Sequence, residues 1–287
     1  MIAIVGVVVV IGAVLGGYLM EHGNIMVLIQ PAELLIIGGA GLGTILIANP
    51  MSTIKGLAAS FGKVFGATPF TRDFYLQHLR MLNALFQTAR KEGLVKLESD
   101  VENPTQSPVF KKFPLFLKNH HAVDFVCDTL RMAISGGVGH FELDQMMEQD
   151  MDVHHHESGQ PASALTTVAD SLPGMGIVAA VLGVVITMGA LGGPPEEIGN
   201  KVAAALVGTF LGILLCYGFL GPMASSIQKF TDAEHQYYYF LRVAIITFVR
   251  LVSPITAIEF ARRTIPGDVR PSFQEMEEAC KGGLGAV

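Results

Sequence analysis

Charge is what this sequence lacks most. Only 15% of its 287 residues are Asp, Glu, Lys or Arg, against about 25% in a typical soluble domain. The deficit is local, because four segments contain no charged residue at all: 2–20, 34–54, 171–195 and 202–228. At about 1.5 Å of rise per residue, each can cross roughly 30 Å of hydrocarbon as a helix. The sequence therefore predicts an all-α integral membrane protein with four transmembrane helices and a helical cytoplasmic domain.

Several other classes of protein are excluded by what is missing. The three cysteines, Cys127, Cys216 and Cys280, are scattered and odd in number, which favours neither a disulfide framework nor a metal site. A net charge of −6 is too acidic for a nucleic-acid-binding protein. No catalytic triad, phosphate-binding loop or second set of ligands beside His154–His156 can be recognised. We therefore expect neither an enzyme nor a cofactor.

The basic residues indicate the orientation in the membrane. Of the 19 Lys and Arg residues, 11 lie in 55–131 and 7 in 229–281, whereas 21–33 contains none. Cytoplasmic loops carry the excess of Lys and Arg, so the long loop and the C-terminal tail are expected in the cytoplasm. An even number of spans then places both termini on the cytoplasmic side as well.

These assignments divide the chain into four parts. Residues 1–54 hold transmembrane helices 1 and 2, and 55–167 form the cytoplasmic domain. Residues 168–228 hold transmembrane helices 3 and 4, and 229–287 form a cytoplasmic C-terminal helix and tail.

Apolar periodicity predicts the helices of the cytoplasmic part. Three are expected at 72–92, 119–135 and 140–156, the last ending in a run of histidines. A turn-rich connector with three prolines is expected at 102–114. The apolar stretch 240–258 contains two arginines and a proline, so we interpret it as a buried or amphipathic cytoplasmic helix rather than a fifth span.

Small residues recur four positions apart in the spans, which predicts close packing of helix backbones within the chain or between copies. The pairs are Gly12 and Gly16, Gly39 and Gly43, Gly176 and Ala180, and Gly208 and Gly212. The glycine-rich stretch 38–44 lies inside a span, so we interpret it as a packing surface rather than a nucleotide-binding loop. Pro173 and Pro222 interrupt the third and fourth spans, and their positions leave open both a tolerated kink and a functional hinge.

Ionisable groups are scarce inside the spans. We expect no carboxylate at mid-membrane, because Asp170 lies at the cytoplasmic edge of the third span. An ion site within a bilayer normally needs an ionisable group. If this chain conducts ions, another chain must supply that carboxylate; otherwise nothing is conducted.

At this point five strings resemble one known family, the MotA family of flagellar stator proteins, across nearly the whole chain. They are LESDVENP at 97–104, MAISGG at 132–137, DSLPGMGIVAAVLGVV at 170–185, VGTFLGILLCYGFLGP at 207–222 and RPSFQEMEE at 270–278.

The resemblance implies an assembly in the bacterial inner membrane. Family members would form a pentameric ring around two copies of the single-pass protein MotB, which brings the missing intramembrane aspartate. Ion flow through the complex would turn the ring against the rotor protein FliG. The third and fourth spans would line the ion path.

The resemblance also assigns roles to single residues. Pro173 and Pro222 match the two prolines that couple protonation of the partner's aspartate to helix movement. Thr209 matches the threonine that faces the ion path, where its hydroxyl can both donate and accept a hydrogen bond. Sodium-driven relatives have a threonine in the place of Ala180, so we predict that H+ is the coupling ion here.

The rotor interface is assigned in the same way. Arg90 and Glu98 match the charged pair of the family's cytoplasmic domain. Asp150 is expected to add to the same rotor-facing surface. Without the resemblance, solvated surface charges would be the simpler interpretation. The charged neighbours expected to tune the same surface are Lys91, Glu92 and Lys96.

Three alternatives remain beside this hypothesis. A proton-driven energiser of the ExbB/TolQ type would have three spans and a longer outward N-terminus. A non-conducting membrane scaffold would tolerate substitution of Pro173. A self-sufficient transporter is disfavoured because the spans lack a carboxylate and no repeat is visible.

Overall fold

The computed structural model describes residues 2–189, 191–250 and 252–281, and every regular element in that part of the chain is helical. Four of its helical stretches are long and apolar enough to cross a membrane: Ile2–Met20, Ile25–Ala48, His140–Met188 and Pro195–Val249. The prediction of an all-α protein with four transmembrane helices is therefore confirmed.

The α-helices follow one another with short connections. In chain order they are α1 Ile2–Met20, α2 Ile25–Leu28, α3 Pro31–Ala48, α4 Met51–Phe65, α5 Arg72–Glu92, α6 Glu98–Glu102, α7 Pro114–Leu117, α8 His120–Ser135, α9 His140–Met188, α10 Pro195–Ile213, α11 Gly221–Val249, α12 Pro254–Thr264 and α13 Phe273–Lys281. Short 3₁₀ turns form at Leu94–Leu97 and Phe110–Lys112, and a π-helical turn, Leu214–Leu220, joins α10 to α11.

The chain divides into two compact units. Unit 1 comprises Met1–Ala67 and Ser158–Phe230, and unit 2 comprises Thr68–Glu157 and Thr231–Val287. Unit 1 thus includes α4, which the sequence analysis assigned to the cytoplasmic domain. The physical reason is that α4 is amphipathic and buries its apolar face in a cluster with residues of α9 and α11. The members of this cluster are Leu57, Val64, Ala162, Leu165, Ala224 and Ile227.

Two of the predicted cytoplasmic helices are confirmed almost to the residue. Helix α5 begins after Thr71, whose hydroxyl accepts a hydrogen bond from the N–H of Phe74 at 3.3 Å. It ends at Gly93, whose φ of +88° favours glycine. Helix α8 begins after Asn119 and is stopped by Gly136 at φ +69°, at the end predicted for it. Local capping chemistry is strong enough in both cases to be read from the sequence.

The prediction of a helix that ends at His156 is wrong, because α9 continues from His140 to Met188 through two prolines. The change from polar to apolar residues marks a change of surroundings and not a helix end. The histidine run is consequently packed rather than terminal: the ring centroids of His154 and His121 are 4.0 Å apart.

The segments 34–54 and 240–258 also prove not to be single helices. Helix α3 ends at Ala48, and α4 begins after Pro50, which cannot donate to the preceding turn. Likewise α11 ends at Val249, and α12 begins with Pro254 at its first position behind the Ser253 cap. In both places a proline starts a new helix instead of interrupting an old one.

The core of unit 2 contains a buried histidine among aromatic rings. His78 is 2% exposed, and its ring centroid lies 4.0 Å from that of Phe74 and 5.2 Å from that of Tyr237. Its Nδ1 donates to the carbonyl oxygen of Phe74 at 2.6 Å, while Nε2 has no hydrogen-bond partner among the described residues. Burial in this apolar site lowers the pKa of His78 to about 4.

Acidification should therefore destabilise unit 2 through His78. The unfolded chain takes up this proton near the ordinary histidine pKa of about 6.5, and the folded chain only near a pKa of about 4. Stability is unaffected above the first value and decreases as the pH falls toward the second, by about 3 kcal/mol in all. The measurement is thermal unfolding of the detergent-purified chain between these pH values, followed by tyrosine emission because the chain has no tryptophan.

The matched variant is His78→Phe, which keeps an aromatic ring but cannot be protonated. Its stability should decrease less with acid than that of the wild-type chain. Equal acid sensitivity of the two proteins would show that other groups are responsible.

Candidate functional site

The part of α9 that belongs to unit 1 is in backbone contact with α10. A methyl group added at Gly176 would lie 2.7 Å from the carbonyl oxygen of Gly208 and 3.2 Å from Cα of Thr209. One added at Gly212 would lie 2.5 Å from the carbonyl oxygen of Leu172. These distances leave no room for a side chain, so glycine is what allows the two helices to approach.

The predicted pairs in the first two spans behave differently. Gly12, Gly16, Gly39 and Gly43 have no atom within 4 Å of an added methyl group in the described chain, apart from their own helix backbone. In addition, α1 buries none of its residues. Packing of these glycines between copies of the chain therefore stays a prediction.

The α9–α10 contact lies near three of the predicted ion-path residues. Pro173 and Ala180 lie one turn before and one turn after Gly176, hence on the same face of α9. That face meets α10 at Thr209. All three side chains are half-buried. Gly176 and Thr209, 33 positions apart in sequence, thus meet in the helix pair, and Pro173 and Ala180 lie within about 6 Å of that contact along α9.

The hydroxyl of Thr209 is available for hydrogen bonding. It has no hydrogen-bond partner in the part of the chain that the structure describes. Thr187, by contrast, donates to the carbonyl oxygen of Gly183 at 2.8 Å, as membrane-embedded threonines often do. A half-buried hydroxyl whose donor and acceptor sites are unused can bind water or a hydrated proton.

Pro222 lies at a different level, about 20 Å further along the helix than Thr209. It follows the π-helical turn, in which the N–H of Gly221 bonds to the carbonyl oxygen of Cys216, five residues back. Proline has no N–H and cannot continue an α-helical hydrogen-bond ladder, which explains the widened turn before it. Pro222 is exposed and does not join the cluster at Gly176.

A polar groove lies next to Pro222, between α9 and α11 of unit 1. Its volume is about 570 Å³, and its lining includes Asp170 and several hydroxyl groups. The lining residues are Ala162, Ser163, Thr166, Thr167, Asp170, Gly221, Ala224, Ser225 and Gln228. The groove can hold water beside the proline-containing turn.

One carboxylate, Glu33, lies within a candidate span and was not among the predicted site residues. Glu33 was taken as the limit of the charge-free segment 34–54, whereas the candidate span is Ile25–Ala48 and contains it. Its side chain is 7% exposed, and Oε2 has no hydrogen-bond partner among the described residues. The signal was present, because Glu33 is the one charged residue between Glu21 and Lys55. Glu33 lies in the first turn of α3, so the expectation of no carboxylate at mid-membrane stays a prediction.

The predicted rotor residues are exposed in unit 2. Arg90 lies in the last turn of α5, and Glu98 begins α6 after one 3₁₀ turn. Within the described residues neither side chain forms an ion pair or a hydrogen bond, so both charges face water. Asp150 is exposed on α9, and no ion pair joins it to the other two among the residues described.

The comparisons with known proteins agree over nearly the whole chain. Residues 4–93 match the family described as Motility protein A N-terminal, and residues 118–239 match the MotA/TolQ/ExbB proton channel family. Motility protein A of Escherichia coli is 40% identical over 278 residues, which are 97% of this chain and 94% of that protein. Chemotaxis protein LafT of Vibrio parahaemolyticus is 34% identical over 95% of this chain and 96% of that protein.

Two solved structures share the fold. The MotAB structure of C. jejuni superposes with a TM-score of 0.78 at 18% identity and covers 94% of this chain and 98% of that one. The flagellar MotAB stator complex from Bacillus subtilis gives a TM-score of 0.71 at 23% identity, with 90% and 92% covered.

The α9–α10 contact should be sensitive to a single methyl group. We expect Gly176→Ala to destabilise the detergent-purified chain by about 1–3 kcal/mol, because overpacking forces the helices apart. Gly174→Ala, on the same helix, is the matched control, since its methyl group would meet no atom within 4 Å outside its own helix backbone. Both changes gain helix propensity, so the difference between their thermal stabilities reports the contact alone. Equal stabilities would contradict the packing described above.

Proposed function

The chain belongs to the motility protein A family, and we propose on that basis that it converts proton flow across the inner membrane into torque on the flagellar rotor. It acts as the A subunit of the stator, together with a MotB-type partner. The family is one of proton channels, so the function is of the transport type.

One observation carries the proposal: Gly176 on α9, one turn from both Pro173 and Ala180, meets Thr209 on α10. Proton transfer needs groups that form weak, reversible hydrogen bonds to water, and the hydroxyl of Thr209, which has no partner in the described chain, is such a group. Pro173, one turn before Gly176, removes a backbone N–H donor, which makes α9 easier to bend there. The proposed proton path at Thr209 thus runs beside the part of α9 that bends most easily.

The partner supplies what this chain's contact layer does not have. MotB is named with MotA in the solved complexes, and a MotB-type single-pass subunit would bring an aspartate to the face of α9 and α10. Protonation of that aspartate would change the contacts of α9 near Pro173 and of α11 near Pro222. We propose a pentameric ring of this chain around two partner helices, with the apolar surface of α1 facing lipid or neighbouring copies.

The orientation proposed here follows from charge. The basic residues gather in 55–131 and 229–281, which supports a cytoplasmic position for both termini and for unit 2. Arg90 and Glu98, exposed and unpaired in the described chain, would then meet complementary charges of the rotor protein FliG, with Asp150 contributing to the same function. Such charges act through steering and register rather than through deep burial.

The alternative function is that of an ExbB/TolQ-type energiser, which shares the proton channel family. The match of residues 4–93 to the motility protein A N-terminal family and the four candidate spans both favour the stator.

Rotation in sodium-free buffer tests the function and the coupling ion together. The chain is expressed with a MotB-type partner in cells that lack stators, and tethered cells are observed. We expect rotation without sodium that stops when a protonophore is added, because the side chain of Ala180 offers no oxygen to coordinate a hard cation. Rotation that requires sodium would contradict proton coupling, and no rotation despite insertion and partner binding would contradict the stator function.

Charge reversal at Arg90 tests the rotor interface. We expect Arg90→Glu to slow or stop rotation while membrane insertion and binding of the partner stay normal, since like charges placed at an interface repel. Lys118→Glu makes the same change of charge at another exposed position of unit 2 and should rotate normally. Normal rotation of Arg90→Glu, or equal impairment of both variants, would remove Arg90 from the interface.

A further inference from the structure

We propose that Glu33 is a second proton-binding group of the ion path, contributed by this chain itself at the contact between α3 and α10. The inference rests on the proposed function, because it assigns a site to the same proton flow. Its observations are the burial of the carboxylate, the absence of a partner for it in the described chain, and its position beside the Thr209 layer.

The carboxylate occupies a space that two small residues leave open. A methyl group added at Gly208 would lie 2.5 Å from Oε2 of Glu33, 3.2 Å from its Cδ and 3.1 Å from Cβ of Ala179. Gly208 is therefore the position on α10 against which the Glu33 side chain lies. Any larger residue there would displace the carboxylate.

A buried carboxylate in this position reduces the stability of the fold, so a functional role is the simplest reason for its presence. Glu33 is 7% exposed, and its Oε2 accepts no hydrogen bond among the described residues. Burial of a carboxylate without a partner normally destabilises a protein, and ionisable groups inside spans usually mark ion pathways. No lysine or arginine occurs between Met1 and Lys55 to balance it. A structural ion pair within the first two spans is thus excluded.

The position also connects Glu33 to the path. Gly208, against which Glu33 lies, directly precedes Thr209 of the candidate path, and Ala179, which faces the same position of α10, precedes Ala180. Gly208 lies six residues inside the charge-free segment that begins at Val202, or about 9 Å along the helix. The carboxylate therefore stands near the non-cytoplasmic end of the path in the proposed orientation.

The chemistry is a reversible proton transfer. An arriving hydronium ion gives one proton to the Glu33 carboxylate and leaves as water. The carboxylic acid then gives that proton to the next water, and the carboxylate is restored with no net change.

The test is proton uptake by liposomes that contain the full chain with its MotB-type partner, driven by a potassium diffusion potential over a series of external pH values. We expect Glu33→Gln to slow uptake on the order of tenfold or more and to flatten its pH dependence, because the relay group is lost. Glu33→Asp keeps a carboxylate and should retain most of the uptake with a shifted pH profile. Glu21→Gln, an exposed carboxylate in the preceding turn, is the matched control and should match the wild type.

Gly208→Ala examines the same site without touching the carboxylate. Its methyl group would displace Glu33, so proton uptake should decrease. In the double variant Gly208→Ala with Glu33→Gln, uptake should be only slightly lower than in Glu33→Gln alone. Wild-type uptake and pH dependence in Glu33→Gln would overturn the proposal, as would equal losses in Glu33→Asp and Glu33→Gln. If Glu33→Gln is not incorporated, Glu33→Asp decides by its pH profile, and an unshifted profile overturns the proposal. Absence of uptake by the wild-type complex would instead contradict the proposed function.

Discussion

The glycine-mediated contact between α9 and α10 is the constraint on which the rest of unit 1 depends. In lipid no hydrophobic force drives two helices together, so close packing of backbones has to do so. Gly176, Gly208 and Gly212 bring the helices to a distance at which any side chain would clash. The same contact sets Thr209 against the face that carries Pro173 and leaves the space that Glu33 fills. The same glycines therefore pack the two helices and position Thr209 and Glu33.

Unit 2 obeys other physical rules. Its helices α5 and α8 are amphipathic and capped by Thr71 and Asn119, and its core is a set of aromatic rings around His78. Water on the outside provides the hydrophobic effect that the membrane helices lack. A rigid core of this kind can present Arg90 and Glu98 on its surface without using them for stability, which suits residues proposed to act on another protein.

The helices most accurately predicted were those whose signals are local. Thr71, Gly93, Asn119 and Gly136 determine their helix ends through nearby hydrogen bonds or backbone angles. The end expected at His156 failed because a change in polarity reflects the medium around a helix, whereas continuity of the backbone depends on its hydrogen bonds. The break at Pro254 was missed because the same residue can interrupt a helix or begin one.

The sequence by itself determined the all-α class, the four candidate spans and the family, because hydropathy and motifs are properties of contiguous residues. Only the tertiary structure decided that Glu33 is buried against Gly208 and that Thr209 meets Gly176. The physical reason is that burial depends on which distant segment covers a side chain. Residues 33 and 208 are joined by packing alone, and no local pattern records that.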